Sequence, residues 1–234
     1  MLRVATYNAH DCIGRDGNYS PDRIARVVSS IEADVVALQE ITLDHAGNIL
    51  AELEASTGMK AIDGTLIDRG VGRYGNVLLT RRPVVKHTFH DLSFAGREPR
   101  GLIEVVLGLD NHECRVVATH LGLASPERHA QIAHIAALLG GSSGAAILMG
   151  DFNVWAGASA FKPLRHAGFL ASAVRSYPSW FVPLLPLDRI LARSPATVLR
   201  CWRHQTPLTS LASDHFPVVA DVRIADRSSA AGHT

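Results

Sequence analysis

The sequence predicts an α+β fold in which one β-sheet packs on another and helices cover the outside. Short apolar runs bounded by turn residues recur along the chain, as strands do. A few longer segments carry apolar residues at helical spacing. The middle of the chain reads as hairpins, and no linker divides it. With 234 residues, 47% hydrophobic and 19% charged, the chain suits one large folded domain. We take it as residues 1–224, followed by a flexible tail over 225–234.

Each element has its own signal. LRVATYN (2–8) is the first strand, and CIGRDGNYS then turns the chain. Ser20 is an N-cap and Pro21 takes the first helical position, where its missing N–H costs nothing. Ile24, Val27, Val28 and Ile31 then form one apolar stripe. DVVALQE (34–40) is a short apolar run ending in polar groups, hence a buried strand. A second helix covers 46–56 and stops at Gly58. GNVLLT (75–80) is a strand; LIEVVLGL (102–109) and CRVVATHL (114–121) flank an Asp110-Asn111 turn as a hairpin. Ser125 and Pro126 open a third helix over 126–139, ended by Gly140 and Gly141. AAILMGDFN (145–153), LDRILA (187–192) and FPVVADVRI (216–224) complete the strands.

The bulk numbers exclude several classes. A net charge of +1 is not the basic footprint of a dedicated nucleic-acid binder. Cys12, Cys114 and Cys201 are odd in number and widely spaced, which argues against a disulfide framework or a zinc site. MLRVATYN lacks a signal-peptide core, and no apolar run is long enough for a membrane span. A cytoplasmic, reduced, monomeric protein is the expectation.

The chemistry gathers at the ends of apolar segments. ATYNAH carries Asn8, ALQE carries Glu40, ATHL carries His120, GDFN carries Asp151 and Asn153, and SDHFP carries Asp214 and His215. PLDRIL begins its strand with Asp188. Burying a charge without a partner is costly, so acids at buried strand ends call for cations, and the histidines for acids. A metal site with a phosphate in it meets both demands. Singly, each residue also has a plain structural reading. Asp151 and Asn153 would make an Asx-type turn, Asn8 a turn before its loop, and His120 a satisfied core histidine. Glu40 would be an exposed strand end, and Asp188 a surface partner of Arg189.

The combination of TYN, LQE, GN, THL, GDFN, LDRI and SDH, in that order and over nearly the whole chain, resembles the endonuclease/exonuclease/phosphatase superfamily. These are magnesium-dependent phosphoesterases related to pancreatic deoxyribonuclease, abasic-site endonucleases, neutral sphingomyelinases and inositol-phosphate 5-phosphatases. The resemblance implies a four-layer αββα sandwich with the site at one end of two mainly antiparallel sheets. It implies a divalent cation, Mg²⁺ or Mn²⁺, on the hard oxygen of Glu40, with Asp214 as second acid and Asn8 beside them. By the same resemblance Asp151 orients or deprotonates the attacking water and Asn153 hydrogen-bonds it. Residues i and i+2 of an extended segment share a side, which would aim both at one place. His215 steadies phosphoryl charge, Asp188 pairs with it, and His120 and Asn76 meet the phosphate. Arg100 either reaches that phosphate or is an ordinary loop arginine.

The substrate is less legible. YPSWFVPLLPL (177–187) places Trp180, Phe181, Val182, Leu184 and Leu185 just before Asp188. The loop is either a surface for a lipid or other greasy substrate at a membrane, or packed onto the core. Arg69, Arg73, Arg81, Arg82, Arg97 and Arg100 would serve a nuclease if they shared one face, or are ordinary surface arginines. The expectation is a phosphodiesterase of small or lipid-like phosphoesters, with a DNA or RNA nuclease as the alternative. A non-catalytic binding module would be expected to lack at least one of the site residues, and none is lacking.

Overall fold

The computed structural model describes residues 1–43, 48–70, 72–110, 112–155 and 158–225. In chain order its strands and helices are β1 (Leu2–Asn8), α1 (Pro21–Ile31), β2 (Val35–Leu43), α2 (Ile49–Thr57), β3 (Lys60–Asp68), β4 (Arg73–Thr80), β5 (Val84–Asp91), β6 (Gly101–Leu109) and β7 (His112–His120). There follow α3 (Ser125–Gly140), β8 (Ala146–Asp151), α4 (Lys162–His166), β9 (Phe169–Ala173), β10 (Asp188–Arg193), β11 (Ala196–Arg203), α5 (Pro207–Ala212) and β12 (Val218–Ile224). The strands form two six-stranded sheets, ordered β11-β12-β1-β2-β4-β3 and β5-β6-β7-β8-β10-β9. In each sheet one central pair, β1 with β2 and β7 with β8, runs parallel, and the other neighbours are antiparallel.

Strand alternation builds the layers. Val4, Val35, Ala37 and Leu78 of the first sheet pack against Val105, Val116, Ala118, Ile147 and Met149 of the second, forming the central core. Their neighbours Ala5, Val36, Leu38 and Leu79 face the other way and bury the apolar stripe of α1 with Leu53 of α2. Val117, Leu148 and Leu191 likewise meet Ile132, Ile135 and Leu139 of α3 and Leu164 of α4. The result is the four-layer sandwich, helices outside and two sheets within.

The Ser20 cap holds: its Oγ accepts the Arg23 N–H at 3.4 Å. Other expectations change. Ser125 lies inside α3, and the N–H of Ala124 donates to the Glu127 carboxylate instead. The start expected for the second helix, residues 46 and 47, lies outside the described residues, and Asn48 caps α2 through the Ala51 N–H. The proposed tail, apart from Ala225, and Asn111 of the hairpin turn also lie outside them. Two short helices, α4 and α5, join the three expected, and four further strands appear: β3, β5, β9 and β11. All four are edge strands.

Candidate active site

The two parallel pairs bring the site together. Asn8 at the end of β1 is in register with Gln39 of β2, beside Glu40. In the facing sheet Asp151 at the end of β8 lies opposite His120 on one side and Asp188 on the other. Gly150 permits that register. It holds φ +154°, and a Cβ there would stand 1.9 Å from the Thr119 carbonyl oxygen.

Two sequence expectations are corrected here. Glu40 is not at a strand end: β2 runs on to Leu43 through an irregularity between Leu38 and Ile41, where Glu40 holds φ 55°. The bulge turns a side chain that alternation would otherwise assign by position alone toward the rim. Asp214 and His215 likewise do not end a strand but sit in the loop before β12. Because β12 runs antiparallel to β1, that loop reaches the same rim as Asn8. Ser213 Oγ pins it there by donating to the Asn8 carbonyl at 2.7 Å.

Asn8, Glu40, His120, Asp151, Asn153, Asp214 and His215 line one cavity of about 480 Å³, together with Arg100. Asn8 Nδ2 donates to Glu40 Oε1 at 2.8 Å and to Asp151 Oδ2 at 3.2 Å, tying the two sheets' acids together. Its Oδ1 accepts the His10 N–H at 3.0 Å, which fixes the amide while Nδ2 orients both carboxylates. Asn153 does not continue the strand. It holds φ 52°, donates its N–H to Asp151 Oδ1 at 2.9 Å and donates from Nδ2 to the Leu121 carbonyl. The Asx turn and the cavity wall are therefore the same feature, and Asn153 reaches the cavity through a turn, not a pleat. Asn76 lies deeper, bonded to the Gly101 carbonyl, and lines a small neighbouring recess with Arg100 and His120. It is not part of the main cavity's wall.

The electrostatics set apart three titrating groups. Burial would depress His215, but the charge and hydrogen bond of Asp188, with Asp151 and Asp214 behind them, outweigh it and push the imidazole up to about 10. His215 Nδ1 lies 2.8 Å from Asp188 Oδ2, and Ser176 Oγ donates to the same oxygen at 2.5 Å. Asp188 is thus a buried partner of His215, not a surface partner of Arg189. Asp151 is raised to about 7 by burial and by the Asp188 charge, against the pull of His215 and Asn8. His120 is held well below 6.5 by burial, then by the charges of Arg100 and His215. Arg100 Nη1 lies 3.3 Å from His120 Nδ1 and can only donate, so the neutral ring carries its proton on Nε2. That nitrogen faces Asp151 Oδ2 at 3.7 Å and Glu40 Oε1 at 3.9 Å.

Asp151, Asp188 and His215 offer ligand atoms within 4.8 Å of one another. His215 and Asp188 are already bonded to each other, so this trio is a histidine–acid pair facing a carboxylate rather than a metal cage. Glu40 and Asp214 also present carboxylates to the cavity. Its wall carries the carboxylates Glu40, Glu98, Asp151 and Asp214 against the guanidinium groups of Arg69 and Arg100 and the imidazolium of His215. Such an excess of oxygen anions fits a hard divalent cation.

Further side chains complete the site. Tyr177 stacks on His215 with ring centroids 4.9 Å apart. Trp155, Leu123, Arg69, Tyr74 and Glu98 line the mouth. The 177–187 loop is not packed onto the core as a whole. Its base is fixed by the Ser179 N–H on the Asp214 carbonyl and by bonds between Tyr177 and Leu185. Its tip is exposed: Trp180 49%, Phe181 67%, Val182 62% and Leu184 55%. The six arginines do not all share one face. Arg69 and Arg100 line the cavity, Arg97 lines a recess beside it with Arg100, and Arg73 pairs with Asp63, whereas Arg81 and Arg82, beyond the far end of β4, bond Ala33 and Asp34.

Comparison with known proteins agrees with this architecture. The family model described as Endonuclease/Exonuclease/phosphatase family matches residues 5–215. The Escherichia coli K12 protein named Uncharacterized protein YbhP is 30% identical over 226 residues, covering 84% of this chain and 86% of its own. The mannosyl-6-phosphatase Bt3783 of Bacteroides thetaiotaomicron superposes with a TM-score of 0.75 at 18% identity, over 95% of this chain and 100% of that one. TDP2 of D. rerio, solved with a single-strand DNA product, gives 0.72 at 17% identity, over 95% and 98%. By its sequence match as well as its layers, the chain belongs to the endonuclease/exonuclease/phosphatase family.

Proposed function

We propose that the chain is a divalent-metal-dependent phosphoesterase that hydrolyses a phosphodiester by in-line attack of water. The observation that carries this is the placement of buried Asp151, whose Oδ2 lies 3.7 Å from His120 Nε2 and 3.9 Å from His215 Nε2 in one open cavity that Glu40 and Asp214 also line. Burial and the Asp188 charge raise its carboxyl, which suits it to take a proton near neutral pH. The water's oxygen bonds to phosphorus as its proton passes to Asp151 Oδ2, and the ester oxygen opposite leaves with the bonding pair. His215 Nε2–H stabilises charge on the phosphoryl oxygens, held in place by Asp188, Ser176 and Tyr177. His120 donates from Nε2, and Arg100 fixes its tautomer. Glu40 and Asp214 would hold Mg²⁺ or Mn²⁺, with Asn8 aligning Glu40; the ion would supply Lewis-acid polarisation of the phosphate.

The substrate reading is a small or lipid-like phosphodiester. Leu123 and Trp155 line the cavity at 69% and 60% exposure, and the exposed Trp180–Phe181 tip belongs to the same loop as the cavity residues Tyr177 and Leu185. An apolar rim around a phosphate site suits an amphiphile. The nuclease alternative keeps Arg69 and Arg100 in the cavity and Arg97 in the recess beside it, but loses Arg81 and Arg82 to the far end of β4. Incubating purified chain and Mg²⁺ or Mn²⁺ with a nitrophenyl diester, glycerophospholipid vesicles, abasic duplex and supercoiled plasmid tests the assignment. Turnover of the diester and of vesicles, with vesicle binding lost in Trp180→Ala/Phe181→Ala, is expected. Plasmid nicking at trace enzyme with vesicles untouched would overturn the substrate reading.

A further inference from the structure

The cavity has two unlike ends. Toward β10 and β12, Tyr177, Leu185 and Leu187 join Asp214 and His215 in the wall. At the other side Arg69, which follows β3, and Arg100, which precedes β6, converge on one carboxylate. Arg69 Nη2 lies 3.2 Å from Glu98 Oε2, and Arg100 Nη2 lies 3.0 Å from Glu98 Oε1. Both guanidinium groups are held from behind. Arg69 stands 3.3 Å from the centroid of the buried Tyr74 ring. Arg100 is nine-tenths buried, rests on His120, and keeps a buried Nε with no partner. Glu98 is the loose member, with its side chain 42% exposed in the loop between β5 and β6.

We propose that Arg69 and Arg100 form a second anion subsite, and that Glu98 fills it as an internal competitor until a second anionic group of the substrate displaces it. The inference rests on the phosphoesterase reading and narrows it to diesters with a phosphate or carboxylate on one arm. Two preorganised guanidinium groups spanning a single carboxylate are the geometry that binds a phosphate or carboxylate in two-point fashion. A half-exposed carboxylate holds such a site weakly. An anion tethered to the scissile phosphate arrives at high effective concentration and replaces it. The neutral arm then points toward Tyr177 and Leu187.

The test is sulfate binding to the full chain in chelator, read from tryptophan fluorescence since Trp155 lines the cavity. Glu98→Gln, nearly isosteric, is expected to bind sulfate roughly tenfold tighter than wild type, and adding Arg69→Ala is expected to remove the gain. Equal affinities in wild type and Glu98→Gln, or a gain that survives Arg69→Ala, would overturn the proposal. In parallel, the preference for a nitrophenyl diester with a phosphate on its second arm over its methyl counterpart is expected to fall about tenfold in Arg69→Ala. An unchanged preference would count against the subsite. If no diester is turned over but the sulfate pattern appears, the phosphoesterase reading fails and the subsite stands.

Discussion

Asp188→Asn isolates the electrostatic centre of the site. In the native protein Asp188 is fully buried and bonded to His215 at 2.8 Å, and its charge is the largest influence raising the imidazole to about 10. The asparagine keeps the shape and removes the charge. Burial, the largest opposing influence, then acts against the weaker pull of Asp151 and Asp214 alone, and His215 falls toward its ordinary 6.5 or lower. At pH 8 a group titrating at about 10 is roughly 99% protonated, and one at 6.5 only about 3%. The imidazolium that meets the phosphoryl charge is therefore lost in most molecules. We expect turnover at pH 8 to fall on the order of thirtyfold, with part of it returning toward pH 6. The assay pairs pH–rate profiles with NMR titration of the His215 ring in chelator. A His215 still protonated at pH 8 in Asp188→Asn, or unchanged turnover there, would refute the reasoning.

Two further perturbations follow from the same geometry. Asp151 titrates at about 7 in the fold against an ordinary 3.8, so the folded state binds its proton more tightly than the unfolded chain does. That group's penalty on stability is absent below about pH 4, grows as pH rises, and is complete above about 7. The stability of Asp151→Asn relative to wild type, both in chelator, is thus expected to improve as pH rises from about 4 to 8. A difference in Tm that stays constant over that range would contradict this. Gly150→Ala drives a Cβ to 1.9 Å from the Thr119 oxygen at φ +154°. It should cost more than about 3 kcal/mol in chemical denaturation and part β7 from β8, whereas a cost under about 1 kcal/mol would show the register tolerates it.

What the sequence made legible follows from where apolar residues were continuous. The central strands β1, β2, β7, β8 and β12 are buried on both faces and read directly as apolar runs. The missed strands are the edges. KAIDGTLID, VVKHTFHD, FLASA and ATVLRCWR face water on much of their length, so charge and polarity interrupt the run. The site was legible through its short tags because Asp151, His120 and Asp188 sit in adjacent register at strand ends. Glu40 was assigned correctly to the rim but for the wrong local reason, since no local pattern announces the bulge that turns it. Tyr74, Glu98 and Leu123 reach the cavity only through tertiary placement. The Arg81–Arg82 end of the supposed basic cluster shows the converse, because closeness in sequence along β4 became distance in space.

The central claim is that Asp151 and a bound divalent cation act together on a phosphodiester. Initial-rate hydrolysis of a nitrophenyl phosphodiester by purified wild type and Asp151→Asn, each with Mg²⁺ or Mn²⁺ and with chelator, tests it most directly. Metal-dependent turnover in wild type and a loss of about a thousandfold or more in a folded Asp151→Asn are expected. Turnover that persists in chelator, or that survives the substitution, would contradict it.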